Sequence, residues 1–234
     1  MMSDIMLRIS ACGLDAVQIN TSEPSFEQRQ FFFNAVLQNL EQAKLSWLFD
    51  VVVCEYSMTI QYDCVQVRYQ EVKAYLKKVV SSVEDGHCVS NNDEIVELPA
   101  DYSLCAGLDL EELSFWCNLS IPEIIKLHSN QIYQVTTIGF APGFAYMKGL
   151  DKRLEVMRKN IPRTEVPAGA IAIANQYTAV YPQSSPGGWW LIGHCPINLF
   201  DSTKSPPSPL KVGQKVRFVP CDKNRERSGA DNGR

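Results

Sequence analysis

Hydrophobic positions in the first hundred residues switch between two spacings, and each spacing predicts an element. Residues 5–10 and 16–19 carry strand-like runs on either side of the turn residues Gly13 and Asp15. Ser22, Glu23 and Pro24 then join a capping hydroxyl to a first-turn proline, and Phe26, Phe33, Val36, Leu37, Leu40 and Ala43 follow at helical spacing. Residues 48–54 are almost continuously apolar, the pattern of a buried strand. Met58, Ile60 and Tyr62 alternate with Thr59 and Gln61, as on a half-buried one. Val72, Tyr75, Leu76, Val79, Val80 and Val83 form the stripe of a second helix, and residues 95–98 predict another strand. Strands interleaved with two helices predict an α+β N-terminal domain with helices on one face of a sheet, ferredoxin-like in arrangement.

The chain turns polar over residues 89–93, which places the N-terminal domain at 1–88 and a second domain at 89–221. Asp109 with Glu112 and Ser120 with Glu123 have the spacing of capping boxes, and Pro122 falls in the first turn of the second helix so marked. From Gln131 onward, glycine and proline punctuate short strand-like runs at 132–138, 170–174, 178–181, 189–192 and 216–219. Many short strands separated by turns predict a mainly-β barrel or sandwich. Residues 222–234 are polar and mixed in charge, the character of a flexible tail.

Composition narrows the class. Hydrophobic residues at 45% and charged residues at 21% are those of a globular protein. A formal charge of −4, with no dense run of Lys or Arg, argues against a nucleic-acid or anionic-membrane partner. The first residues, interrupted by Asp4 and Arg8, lack the basic and long apolar regions of a signal peptide. No apolar run approaches the ~18 residues of a membrane span. A cytoplasmic protein is the expectation. The eight cysteines contain no C-x-x-C pair, so they read as reduced apolar fillers and give no metal site. Neither a G-x-x-x-x-G-K-[ST] loop nor a strand-linked G-x-G-x-x-G is present, so the chain offers no familiar phosphate cradle.

Three segments could carry chemistry. In the first, Pro142 presets one turn position and Gly143 supplies the positive φ that a type II turn requires next. Phe140, Phe144 and Tyr146 around that turn read either as an aromatic-walled pocket for a flat amide or as ordinary core rings. In the second, Arg163 stands between Pro162 and Pro167, rigid flanks that lower the entropy cost of holding a guanidinium toward a carboxylate or phosphate. Glu165 could instead take it in a structural ion pair. The third runs through Ser185, Pro186, Gly187, Gly188, Trp189 and Trp190. It reads as a tight turn leading into a strand whose two tryptophans face opposite ways, leaving one to anchor a partner. Among the histidines, His128 ends a helix, where the dipole favours a cationic ring, unless it transfers protons or meets substrate. His87 lies in the polar hinge, and His194 could serve either structure or chemistry.

Taken together, Leu127-His128-Ser129, the 139–146 segment with Gly149-Leu150-Asp151, Pro162-Arg163, Val166 to Gly169, Tyr181-Pro182, Ser185 to Trp189 and Leu199-Phe200-Asp201 resemble the family of bacterial 5-oxoprolinase B subunits. Its members are also labelled allophanate hydrolase subunit 1 or Kip-type kinase inhibitor. The resemblance implies a ferredoxin-like domain followed by a cyclophilin-like barrel, the carboxyltransferase subdomain. It further implies two partners, the 5-oxoprolinase C subunit and a third, the A subunit. The implied reaction is ATP-dependent opening of 5-oxo-L-proline to L-glutamate, with ATP used by the assembled complex. His128 and Arg163 become the catalytic candidates. Phe140, Phe144, Tyr146 and Arg163 would bind substrate, and residues 185–189 would meet a partner. Inhibition of a sensor histidine kinase, or membership of an allophanate/urea amidolyase-type hydrolase, are the alternatives within the same family. The sequence departs from the family pattern Tyr-Gly-Gly-Glu-Phe-Gly-Pro-Asp over residues 102–109, where Tyr102, Gly107 and Asp109 alone keep it, and it has His194 at a position that is usually Arg.

Overall fold

The computed structural model describes residues 7–84 and 94–221. His87, the expected boundary near residues 88–89 and the expected tail at 222–234 lie outside them. The chain divides into two compact units, 1–92 and 93–234.

The first unit contains β1 (Leu7–Ala11), β2 (Ala16–Thr21), α1 (Phe26–Ala43), β3 (Leu48–Val53), β4 (Ser57–Tyr62) and α2 (Tyr69–Glu84). Its sheet has the order β1-β2-β4-β3, antiparallel at every step. Val17 faces Ile60 and Ile19 faces Met58 across β2 and β4, so the period-2 pattern gathers these four on one buried face. Phe33, Val36 and Leu40 of α1 and Val72 and Leu76 of α2 are likewise fully buried. The cap of α1 is Ser25 rather than Ser22; its hydroxyl accepts from Gln28 N–H. The apolar run of β3 is not a buried strand. It lies at the sheet edge, with Phe49 and Val52 exposed.

The second unit is mostly β. It comprises β5 (Ile95–Ala100), α3 (Leu110–Cys117), α4 (Ile121–Ser129), β6 (Tyr133–Ile138), β7 (Ala145–Lys148), a 3-10 turn at Lys152–Leu154, β8 (Arg163–Val166), β9 (Ala170–Ala174), β10 (Tyr177–Val180), β11 (Ser185–Gly187), β12 (Trp190–His194) and β13 (Lys215–Pro220). Seven strands form one sheet in the order β12-β9-β10-β7-β6-β13-β5, while β8 and β11 pair as a separate ribbon. Beyond the two ends of that order, Asp101 and His194 exchange N–H···O bonds of 2.8 Å in both directions, so the sheet is a nearly closed barrel. Gly193 makes this seam possible: a Cβ there would sit 2.8 Å from the Asp101 carbonyl oxygen.

Strand β9 explains how the interior divides. Its sequence alternates alanine and isoleucine, and every residue is buried. Ile171 and Ile173 pack with Leu98, Tyr133, Met147, Ile192 and Phe218 and with Leu110, Leu113 and Ile124 of the helices. Ala170, Ala172 and Ala174 face a second cluster. The small side chains on that face leave room for large rings.

Candidate functional site

Those rings come from the segments singled out in the sequence. The turn forms as expected: Phe144 N–H donates to Ala141 O at 2.9 Å, and Gly143 has φ +80°. A Cβ on Gly143 would lie 2.5 Å from Leu199 O, so this position needs glycine for space as well as conformation. Phe144 is buried at the centre. Its ring stands edge-on to Phe140 (5.1 Å between centroids), Tyr146 (4.9 Å), Tyr181 (5.2 Å) and Trp189 (5.8 Å), the offset geometry favoured by ring quadrupoles. Tyr177 extends the wall from Tyr146 at 6.1 Å.

Phe140 differs from the others. It is 64% exposed and has φ +72°, a left-handed conformation that is strained for a bulky residue. Strain held at an exposed ring beside a buried aromatic wall is the pattern of a ligand-facing position. Phe140→Gly is therefore expected to be more stable than Phe140→Ala by about 1 kcal/mol, because both lose the ring and only glycine releases the strain. Thermal unfolding of the two variants checks this.

Arg163 does not pair with Glu165. It forms a fork with Asp109, from Nη1 to Oδ2 at 2.9 Å and from Nη2 to Oδ1 at 2.7 Å. Asp109 is buried and also accepts from Lys159 Nζ at 2.8 Å and from Leu191 N–H at 2.7 Å. Lys159 continues to Glu112 at 2.5 Å and lies 4.3 Å from the Trp190 ring. This network explains why the Asp109/Glu112 capping box is missing. Asp109 occupies the N-cap position of α3, but its carboxylate is turned inward to the two cations and makes no cap bond. The Ser120/Glu123 box of α4 does form. Burial alone would raise the Asp109 pKa; the bonds from Arg163, Lys159 and Leu191 outweigh it and hold the carboxyl below its usual range. The guanidinium at the aromatic wall is instead that of Arg158, 6.0 Å from the Trp189 ring.

His128 lies in the barrel core rather than at a cleft. Its Nδ1 meets Tyr102 Oη at 2.7 Å and its Nε2 meets Thr178 Oγ1 at 2.9 Å, with Phe218 and Tyr133 rings packed at 4.7 and 5.2 Å. Burial pushes its pKa down to about 3. The expected cationic cap or proton carrier is a neutral core residue, since desolvation outweighs the helix dipole here.

The partner anchor also needs correction. Residues 185–187 form strand β11 against β8 instead of a tight turn, and Pro186 is exposed. The two tryptophans do point opposite ways, but both are buried: Trp189 joins the ring wall and Trp190 the barrel core, where its Nε1–H donates to Met157 O at 2.8 Å. The side chains that stand out are Phe115 and Trp116 on α3, 87% and 68% exposed. Reading the sequence assigns Tyr102, Thr178 and Arg158 no role, and Asp109 only that of a helix cap. A signal existed for two of them, because Tyr102 and Asp109 keep the family pattern at either end of a largely altered stretch.

The family described as carboxyltransferase domain, subdomain C and D, matches residues 7–210. A curated protein from Bacillus subtilis (strain 168), named as the B subunit of 5-oxoprolinase, is 34% identical over 225 residues, covering 92% of this chain and 93% of that protein. The crystal structure of TTHA0988 aligns with a TM-score of 0.77 at 28% identity, over 93% of this chain and 40% of that longer one. The K. lactis urea amidolyase aligns with a TM-score of 0.70 over 95% of this chain and 15% of its own. At 16% identity that last likeness is one of fold alone.

Proposed function

The chain belongs to the 5-oxoprolinase B-subunit family of carboxyltransferase domains, and from that premise we propose that it is the B subunit of an ATP-dependent 5-oxoprolinase. With the C and A subunits it would open 5-oxo-L-proline to L-glutamate, and it would have no activity alone. The near full-length match to the Bacillus subtilis protein carries this reading. The fold likeness to a urea amidolyase is compatible with a related amide hydrolase but has no comparable residue-level match.

The chemistry explains why such an enzyme needs ATP. A lactam carbonyl is a poor electrophile because the nitrogen lone pair is delocalised into it. Phosphoryl transfer to its oxygen would activate the carbon toward water. The tetrahedral adduct then breaks the ring C–N bond, the nitrogen leaving as the amine, and a second water hydrolyses the resulting acyl phosphate to the carboxylate and phosphate. Lys159 and Arg163 are both committed to Asp109, and the chain has no phosphate-cradling glycine loop. ATP is therefore assigned to the assembled complex, and no phosphoryl step is assigned to residues of this chain. Its contribution is to hold the lactam: exposed Phe140 and half-buried Tyr146 offer ring surface that suits a flat amide, and buried Phe144 packs behind both.

Two finer readings of the fold accompany this one. The β1-β2-β4-β3 order supports a ferredoxin-like first domain in which the edge strand comes first in the chain. The Asp101–His194 seam supports a cyclophilin-like barrel for the second. A cytoplasmic location is part of the proposal; among the described residues no helix is long and apolar enough to cross a membrane.

Co-expression with the C and A subunits, followed by assay of glutamate release from 5-oxo-L-proline and ATP, tests the assignment. Activity is expected only when all three are present. Undiminished release without this chain would reject the assignment.

A further inference from the structure

We infer that Arg158 and the ring wall of Phe140, Tyr146 and Trp189 form a binding site for a small planar amide bearing a carboxylate, with Arg158 as its carboxylate-binding residue. The inference rests on the oxoprolinase reading for the substrate's identity, but the geometry stands on its own.

The neighbouring cations are already committed. Arg153 is held by Asp151, while Lys159 and Arg163 share Asp109. Arg158 has no carboxylate partner among the described residues, and its side chain is exposed. Its guanidinium lies 6.0 Å from the ring of buried Trp189, at the edge of the wall. Its charge also reaches Tyr146 and Tyr181, whose pKa values are raised by burial and partly offset by Arg158. A guanidinium resting on an aromatic face keeps its N–H fork available at the edge, and that fork matches a carboxylate in two parallel bonds.

The rings supply the other half of the recognition. Phe140 is the exposed member of the wall, held in a strained conformation and edge-on to Phe144 and Tyr181. A five-membered lactam presents a flat amide with its carboxylate on the adjacent carbon, so one molecule can meet both features. ATP and phosphate lack the planar amide. An apolar peptide lacks the charge.

The test uses the complex with its partner subunits, comparing wild type, Arg158→Gln and Arg158→Lys. Loss of one charge-assisted pair predicts a KM for 5-oxo-L-proline raised about tenfold or more by Arg158→Gln, a larger change than in kcat. Arg158→Lys recovers part of it. 2-Pyrrolidinone, the same ring without the carboxylate, should distinguish wild type from Arg158→Gln far less. An unchanged KM in Arg158→Gln overturns the inference. Should the wild-type complex release no glutamate, the assigned reaction falls, and tryptophan fluorescence then decides the site. Quenching by 5-oxo-L-proline in wild type that is weakened in Arg158→Gln upholds it. A response equal in both proteins, or absent from both, overturns it.

Discussion

Asp109→Ala is expected to lower the unfolding free energy by about 3 kcal/mol, the scale of breaking a buried ion pair from one side. The carboxylate satisfies three separate donors: the Arg163 fork, the Lys159 ammonium and the buried Leu191 N–H. Removing it strands the Arg163 fork and the Leu191 N–H and leaves Lys159 with Glu112 alone. Arg163→Ala should cost less, about 1.5 kcal/mol, because Asp109 keeps Lys159 and Leu191 and Arg163 is itself part exposed. Urea unfolding of both variants at neutral pH measures the difference, and equal effects would mean that Arg163 alone carries the network. Acid adds an independent check. The Asp109 pKa is depressed in the folded protein, so its contribution is complete above the ordinary carboxylate pKa of about 3.9 and fades as pH falls through the lower folded value. Asp109→Asn should flatten that part of the acid limb.

The network also shows where reading the sequence reaches its limit. Local spacing places the regular elements well: Phe33, Val36 and Leu40 on one helix face, Val17 and Ile19 on one strand face, and Ser120 with Glu123 as a cap. These depend on neighbours within a few positions. Asp109 and Glu112 have the same spacing as Ser120 and Glu123, yet Asp109 binds cations about fifty residues away. Nothing within four residues reports such a contact. Strands β8 and β11 escape the sequence pattern for a related reason. Proline and glycine at 162, 167, 186, 187 and 188 spell turns locally, but the two segments pair only with each other, as a short ribbon outside the barrel sheet that tolerates such residues.

The aromatic wall is half legible. Phe140, Phe144 and Tyr146 lie in one motif around a turn whose geometry the Pro-Gly pair dictates, and they do come together. The guanidinium beside them belongs to a different arginine from the one the motif suggests. Flanking prolines make Arg163 look poised for an anion, although rigidity serves a structural pair equally well. Arg158 has no motif around it. Only its position beside Trp189, with its neighbouring cations neutralised, marks it out.

His128 gives the other large expected effect. Thr178 Oγ1 donates to Ala172 O at 3.1 Å, so toward His128 it acts as acceptor. That fixes the proton on Nε2 and leaves Nδ1 to accept from Tyr102 Oη–H. Protonation of Nδ1 would make Tyr102 Oη the acceptor and deprive its buried O–H of a partner, which adds to the desolvation that already holds the ring neutral. His128→Ala should cost about 4 kcal/mol, combining a cavity with a Tyr102 hydroxyl that loses its partner. His128→Phe preserves bulk and isolates the polar part. The wild-type ring stays neutral down to about pH 3, whereas in the unfolded chain it binds a proton near pH 6.5. Its contribution is thus complete above pH 6.5 and declines on acidification by up to about 1.4 kcal/mol per pH unit until the folded ring titrates. Urea unfolding at pH 7.5 and pH 5 should show wild type losing about one proton's worth of slope more than His128→Phe. Matching slopes would mean that water reaches the ring and that it can ionise in place, restoring the proton-carrier role which burial otherwise denies it.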